Sequence, residues 1–321
     1  MLQIEDLSVT FDTAEGRVHA VDGVRLSVRA GRTLAVVGES GSGKTVTGLA
    51  ALGLLEGTGA RILSGSVRVA STIFFPGSEE TMRQRRGSEI AMIFQEPMTA
   101  LNPVLTVGEQ VAEPLVFHRG QSWTEAIAQA RRLLERVQIP DGAAALKKFP
   151  HEMSGGQRQR VMIAMAIACA PRVLIADEPT TALDVTIQAQ VLRLLRQLQR
   201  EDGMALMLIT HDFGVVAEVA DEVAVMYAGR IVESGTVTDV ITRPAHPYTE
   251  ALIGVTRLPT ARKIGARLIE IAGMVPTMRS VDAGCTFRDR CPIAQPACAV
   301  IRPQLRPLSP THDVACGVRR P

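Results

Sequence analysis

Gly38-Glu39-Ser40-Gly41-Ser42-Gly43-Lys44-Thr45 reads G-x-x-x-x-G-K-[ST], the pattern of a phosphate-binding loop. The apolar run Leu34-Ala35-Val36-Val37 before it has the look of a buried strand, and Val46 to Leu52 after it can continue as a helix. That strand–loop–helix context gives the pattern its meaning. Glycines at Gly38, Gly41 and Gly43, with Ser40 between them, let backbone N–H groups turn toward an anion. A helix N-terminus adds partial positive charge. Lys44 is expected to reach the outer phosphates of a nucleotide, and the Thr45 hydroxyl to take one Mg²⁺ position.

Working outward, three further strands end in chemistry. Val173-Leu174-Ile175-Ala176 runs into Asp177-Glu178, a buried strand delivering carboxylates to its C-terminal end, where α/β sheets bind ligands. Asp177 suits Mg²⁺, and Glu178 suits orienting or deprotonating an attacking water. Ile90 to Phe94 leads to Gln95, whose side-chain oxygen is either a Mg²⁺ or water ligand or an ordinary loop group. Met204 to Ile209 is a third buried strand, followed by Thr210-His211, with His211 a neutral donor or acceptor at the same sheet edge, or a loop residue. Phe11 ends a strand-like stretch from Leu2 and is either a stacking platform for a purine or strand core.

Ser154 and Gln157 stand three apart, so the spacing predicts a capping box with a helix from Gly155 to Ala170. Gly155 and Gly156 are poor residues for a first helical turn, but they leave its N–H groups open to an anion. Between Asn102 and Lys148 the pattern turns helical, with a second capping box at Ser122 and Glu125, and roughly 100–170 reads as a helical insertion. Leu2 to Val28 is β-rich and expected to be antiparallel. Gly57 to Gly65 reads as a loop, Ser66 to Phe75 as strand or hairpin, and Met82 to Arg86 as a solvated basic stretch. Val223 to Glu233 reads as a hairpin, and the core is expected to close near residue 240.

The bulk numbers fit such a chain. Its 321 residues suggest about two domains. A net charge of +2 gives no electrostatic case for nucleic acid as a partner. No window has 18 apolar residues, and the acidic start Glu5-Asp6 does not resemble a secretory signal, so a cytoplasmic location is expected. Cys169 sits alone in a helical stretch and is read as core. Cys285, Cys291, Cys298 and Cys316 are spaced C-x5-C-x6-C-x17-C, without the C-x2-C pair of a zinc ribbon. Four thiolates suit Zn²⁺ or a [4Fe–4S] cluster, and free thiols are the third possibility.

Taken together these stretches resemble the ATP-binding subunit of an ABC transporter. Gly38 to Thr45 matches Walker A, Gln95 the Q-loop, Ser154 to Gln157 the signature, Val173 to Glu178 Walker B with the catalytic glutamate, Ala182-Leu183-Asp184 the D-loop and His211 the switch histidine. All occur in the family's order over residues 1–240. Phe94 to Pro103, Pro150-His151-Glu152 and His246-Pro247-Tyr248-Thr249 are similar to the oligopeptide/dipeptide and nickel importer branch, whose C-terminal extension residues 241–321 would supply.

The resemblance implies an α/β fold: a P-loop NTPase (RecA-like) core with an antiparallel β subdomain, a helical insertion subdomain and a small cysteine-containing C-terminal extension. It implies ATP and Mg²⁺ as cofactors, with Thr45, Gln95 and Asp177 toward the metal, Phe11 toward adenine, and a [4Fe–4S] cluster on the four tail cysteines. Ser154, Gly155, Gly156 and Gln157 would grip the ATP of a second ATP-binding subunit. Two transmembrane permease subunits and an extracytoplasmic binding protein would complete the complex at the cytoplasmic face of the membrane. Peptide is the favoured cargo, with nickel or another small solute as the alternative. A soluble ABC ATPase of DNA repair or translation is the competing class.

Overall fold

The computed structural model describes residues 1–75, 77–181, 183–256, 271, 273–279 and 283–319, with Met98 and Thr256 described by their backbone only. The chain divides into two compact units. One comprises Met1–Leu2, Val28–Arg32 and Arg68–Leu208; the other comprises Gln3–Ser27, Thr33–Val67 and Ile209–Pro321.

In the second unit the strands Leu2–Thr13 and Gly16–Val28 are joined by a two-residue turn, which only antiparallel neighbours permit. Their sheet order continues to Ala60–Val69. Inward positions along the first strand are Leu2 and Ile4, then Leu7 and Val9. The switch from even to odd falls at Asp6, whose φ of 47° marks one extra residue in the strand. The stretch expected to be a loop up to Gly65 is instead strand from Ala60.

A second sheet segment of that unit runs in the order Arg306–Ser309, His312–Val314, Arg230–Thr236, Glu222–Tyr227, Thr33–Val37. Thr33–Val37 is buried at every residue and pairs in parallel with Glu222–Tyr227, Val37 lying opposite Val225. Glu222–Tyr227 turns through Ala228 and Gly229, both at positive φ, into Arg230–Thr236, the hairpin the sequence predicts. The chain's last hairpin then adds to the edge, Glu233 pairing with Val314. Behind these strands the core holds Tyr227, Val240, Tyr248, Ile253 and Phe287, so residues beyond 240 share the packing of those before it.

In the first unit Ile90–Ile93 pairs in parallel with Val173–Asp177, next in sheet order to Ala205–Thr210. The insertion supplies Val107–Arg119, Trp123–Arg136 and Gly155–Ile167, which pack on one another. Capping boxes start all three, at Thr106, Ser122 and Ser154. The third helix stops at Ile167, short of the expected Ala170, which takes φ 46° instead. Residues 82–85 belong to the helix Glu79–Arg85, capped by Ser78; Arg83 and Gln84 are exposed, while Met82 is buried. Cys169 is buried, its thiol donating to the Pro114 carbonyl at 3.3 Å, as a core role requires. Among the described residues no helix is long and apolar enough to cross a membrane.

Candidate functional site

The P-loop leaves Thr33–Val37 at Gly38, where a side chain is impossible: a Cβ there would stand 2.2 Å from the Met226 carbonyl oxygen on the neighbouring strand. The helix Lys44–Ala51 follows, with Gly43 at its N-cap and no side chain capping it. An N-terminus without a side-chain cap is where a helix can receive an anion. Lys44 is buried, and its ammonium donates to the carbonyls of Gly38 (2.7 Å) and Glu39 (2.9 Å), which holds the positive charge over the loop. Ser40, Gly41 and Thr45 are exposed along the same loop, while Phe11 is half-buried on its own strand. His211 stands exposed just past Ala205–Thr210; the next residue, Asp212, caps the helix Phe213–Val219 by accepting from the Gly214 N–H at 2.7 Å.

Strand register builds the acid end of the other unit. Ile93 lies opposite Ala176, so two residues on, Gln95 is level with Glu178. Gln95 Nε2 donates to Glu178 Oε2 at 3.2 Å, and Thr181 Oγ1 donates to the same oxygen at 2.9 Å. Asp177, the last residue of its strand, is only 2% exposed, whereas Glu178 is half-buried. Glu178 takes φ 43°, a left-handed conformation that costs a non-glycine residue on the order of 1 kcal/mol or more. The bend turns its carboxylate away from the line of the strand. Thr181 was not singled out from sequence; its place three residues after Glu178 in a tight turn was the available signal.

The helix start at Ser154 faces a cavity of about 530 Å³ lined by Ser154, Gly155, Gly156, Gln157, Leu183 and Asp184, among others. Ser154 Oγ accepts from the Gln157 N–H (3.3 Å) and Gln157 Oε1 accepts from the Ser154 N–H (3.0 Å). Gly156 sits against the next helix, where a Cβ would stand 2.8 Å from Ile187 Cγ2. Of the residues expected to form the D-loop, Leu183 and Asp184 line this cavity, and Ala182 lies outside the described residues. Asp184 caps the helix Val185–Asp202 through the Ile187 N–H.

Comparison with known proteins matches residues 21–181 to the ABC transporter family and residues 232–298 to the oligopeptide/dipeptide transporter C-terminal region. The chain belongs to the ABC transporter family. It is 50% identical over 317 residues to a probable peptide ABC transporter ATP-binding protein of Sinorhizobium fredii, covering 98% of this chain and 94% of the relative. It is 46% identical over 316 residues to the oligopeptide transport ATP-binding protein OppD of Salmonella typhimurium, covering 98% and 93%. Among solved structures, the dimeric ATP-binding cassette MJ0796 in a post-hydrolysis state bound to ADP and Pi matches with a TM-score of 0.66 and 28% identity, over 74% of this chain and 99% of that one. This ABC chain is thus a P-loop ATPase cassette of the expected α/β class, joined to a transporter-type C-terminal region.

That C-terminal region gathers its four cysteines. Cys285, Cys291, Cys298 and Cys316 all line one cavity of about 70 Å³, with His246 and Phe287, and none is disulfide-bonded. The Cys285 N–H donates to the Cys298 carbonyl at 2.8 Å, which closes the loop between them. Burial, and then the neighbouring thiols, push the Cys285 and Cys291 thiols up. Such a set stays thiolate only against a compensating cation. Among the described residues no three Cys, His, Asp or Glu side chains converge to hold a single metal ion.

The sequence element His246-Pro247-Tyr248-Thr249 has a local explanation. Buried Glu233 accepts the N–H groups of Ala245 and His246, both at 2.7 Å, and contacts His312 Nε2 at 2.7 Å. Burial lowers His246 to about 3. It is therefore a neutral acceptor, and its Nδ1 takes the Tyr248 N–H at the start of the helix Pro247–Thr256.

Proposed function

We propose that this chain is the ATP-hydrolysing subunit that powers import of di- and oligopeptides across the cytoplasmic membrane, as a peripheral part of a multi-subunit ABC importer. The observation that carries the reading is the two-part match along one chain: a cassette followed by an oligopeptide/dipeptide-type C-terminal region, with relatives of nearly equal length that are named for peptide transport.

In this reading Lys44 and the P-loop N–H groups bind the phosphates, Thr45, Gln95 and Asp177 face Mg²⁺, and Phe11 stacks on adenine. Glu178 is the general base, held by Gln95 and Thr181. His211 contacts the reacting end of the same nucleotide. Ser154, Gly155, Gly156 and Gln157 cover the ATP of a second ATP-binding subunit, because a helix start over an open cavity offers N–H groups to an anion that this chain does not itself supply. Hydrolysis removes that bridging contact and releases the two subunits, which drives two permease subunits between states. An extracytoplasmic binding protein delivers the cargo.

Cargo class is tested by ATP hydrolysis in vesicles that hold the chain, its permeases and its binding protein. Di- or oligopeptide is expected to stimulate phosphate release. Stimulation by nickel alone would contradict the peptide reading.

For the C-terminal cysteines a [4Fe–4S] cluster is the favoured group, on the resemblance to importer subunits with this cysteine set, with zinc as the alternative. What supports a shared group is that all four cysteines line one cavity. Bound there, the cluster would cross-link the extension and offset the thiolate charge. The anaerobically purified chain is expected to carry about four irons and four acid-labile sulfides, as a Cys₄-ligated cluster requires, lost in Cys291→Ser. One zinc per chain with no sulfide would replace the cluster by a mononuclear site.

A further inference from the structure

The P-loop is held from outside the residues that match the cassette. Glu39, its second residue, receives a two-pronged ion pair from Arg290: Nη1 to Oε2 at 2.7 Å and Nη2 to Oε1 at 3.0 Å. The Arg290 side chain is only 6% exposed and that of Glu39 28%, so the fork is partly shielded from water. Its guanidinium also donates to the Ile271 carbonyl at 3.1 Å and lies over the Tyr227 ring, 5.7 Å from the centroid. Arg290 ends the short turn Arg288–Arg290, directly before Cys291 and five residues after Cys285, so the thiol set brackets the turn that presents it.

The Glu39 backbone has a second partner from the same region. Its N–H donates to Tyr248 Oη at 2.8 Å. Tyr248 is fully buried, packed on Tyr227 and Phe287 at 4.6 and 5.4 Å between ring centroids. Burial raises its phenol, which stays neutral and keeps an oxygen lone pair for the N–H. The Glu39 carbonyl, finally, accepts from the Lys44 ammonium. One residue of the P-loop is thus fixed at its carboxylate, its N–H and its carbonyl, and the first two anchors lie beyond residue 240.

We propose that Arg290 and Tyr248 are positioning residues for ATP: by fixing Glu39 they hold the P-loop and the Lys44 ammonium in the phosphate-binding geometry, so the C-terminal extension sets nucleotide affinity. The proposal rests on reading Gly38 to Thr45 as the ATP site. A bidentate fork is directional, which a lysine ammonium is not. Glu39 needs that direction, since its neighbours in the loop carry the phosphate-facing N–H groups.

The test is a titration of full-length chains with a fluorescent ATP analogue, together with steady-state ATPase kinetics. Arg290→Ala and Glu39→Gln are each expected to weaken binding about tenfold, and the double variant no further, as for two residues acting through one contact. Arg290→Lys should fall between wild type and alanine. KM for ATP should rise while kcat at saturation stays within about twofold, since the reacting groups are untouched. Tyr248→Phe keeps the ring packing and removes only the acceptor, so it serves even where Arg290→Ala fails to fold; it should weaken binding about threefold, the worth of one hydrogen bond. Wild-type affinity in Arg290→Ala, or in Tyr248→Phe where Arg290→Ala does not fold, overturns the proposal, as does a double variant whose loss is the product of the single losses. Absence of ATP binding by the wild-type chain would instead contradict the reading of the P-loop itself.

Discussion

Glu178→Gln is expected to lower ATP hydrolysis in the assembled complex by roughly 10²- to 10⁴-fold, the usual contribution of a positioned general base, while ATP binding is retained. Glutamine is close to isosteric with glutamate. Its amide oxygen can still accept from Thr181 Oγ1 and Gln95 Nε2, the two groups that hold Glu178 at 2.9 and 3.2 Å. The left-handed bend at residue 178 is a backbone property and stays. What is lost is the negative charge and the basicity, which are the means of taking a proton from water. Phosphate release checks it. Turnover near the wild-type rate would remove Glu178 from the catalytic role.

Ser154→Asp separates binding from hydrolysis by a different route, through the nucleotide of a second subunit. Aspartate is as good an N-cap as serine, so the helix Gly155–Ile167 and its bond to the Gln157 N–H are kept. Thermal stability should stay near wild type. The new carboxylate, however, stands at the mouth of the 530 Å³ cavity that the signature residues line. A phosphate arriving there from a second subunit meets like charge, which costs several kcal/mol. Hydrolysis by the complex is expected to drop by about 10²-fold, with the chain's own affinity for ATP unchanged. Unchanged hydrolysis would mean that the signature does not touch a nucleotide.

Local chemistry made the site legible from sequence, and long-range pairing hid the rest. The capping boxes at Ser122 and Ser154 could be read because both partners lie within four residues. The box at Thr106 has the same spacing, with Glu109 as its partner. The buried runs before Gly38 and at Val173–Asp177 announced strands through composition alone. Their register did not appear in composition, so the Gln95–Glu178 bond followed only once Ile93 was seen opposite Ala176.

The C-terminal region was the least readable part. Arg306–Ser309 and His312–Val314 are too short, and too rich in polar residues and proline, to signal strands without the edge of Arg230–Thr236 to pair with. Arg290 and Glu39 are 251 residues apart, and nothing near either one names the other. The cysteines stood out by number and spacing, yet only the fold shows that all four reach one cavity.

Hydrolysis at this chain is expected to drive peptide import. The most direct measurement is uptake of a labelled oligopeptide into proteoliposomes holding the permeases and the ATP-binding subunits, with ATP on the side of this chain, comparing wild type with Glu178→Gln. ATP-dependent accumulation by the wild type, and none above background by the variant, is the expected result. Accumulation by Glu178→Gln at the wild-type rate would contradict it.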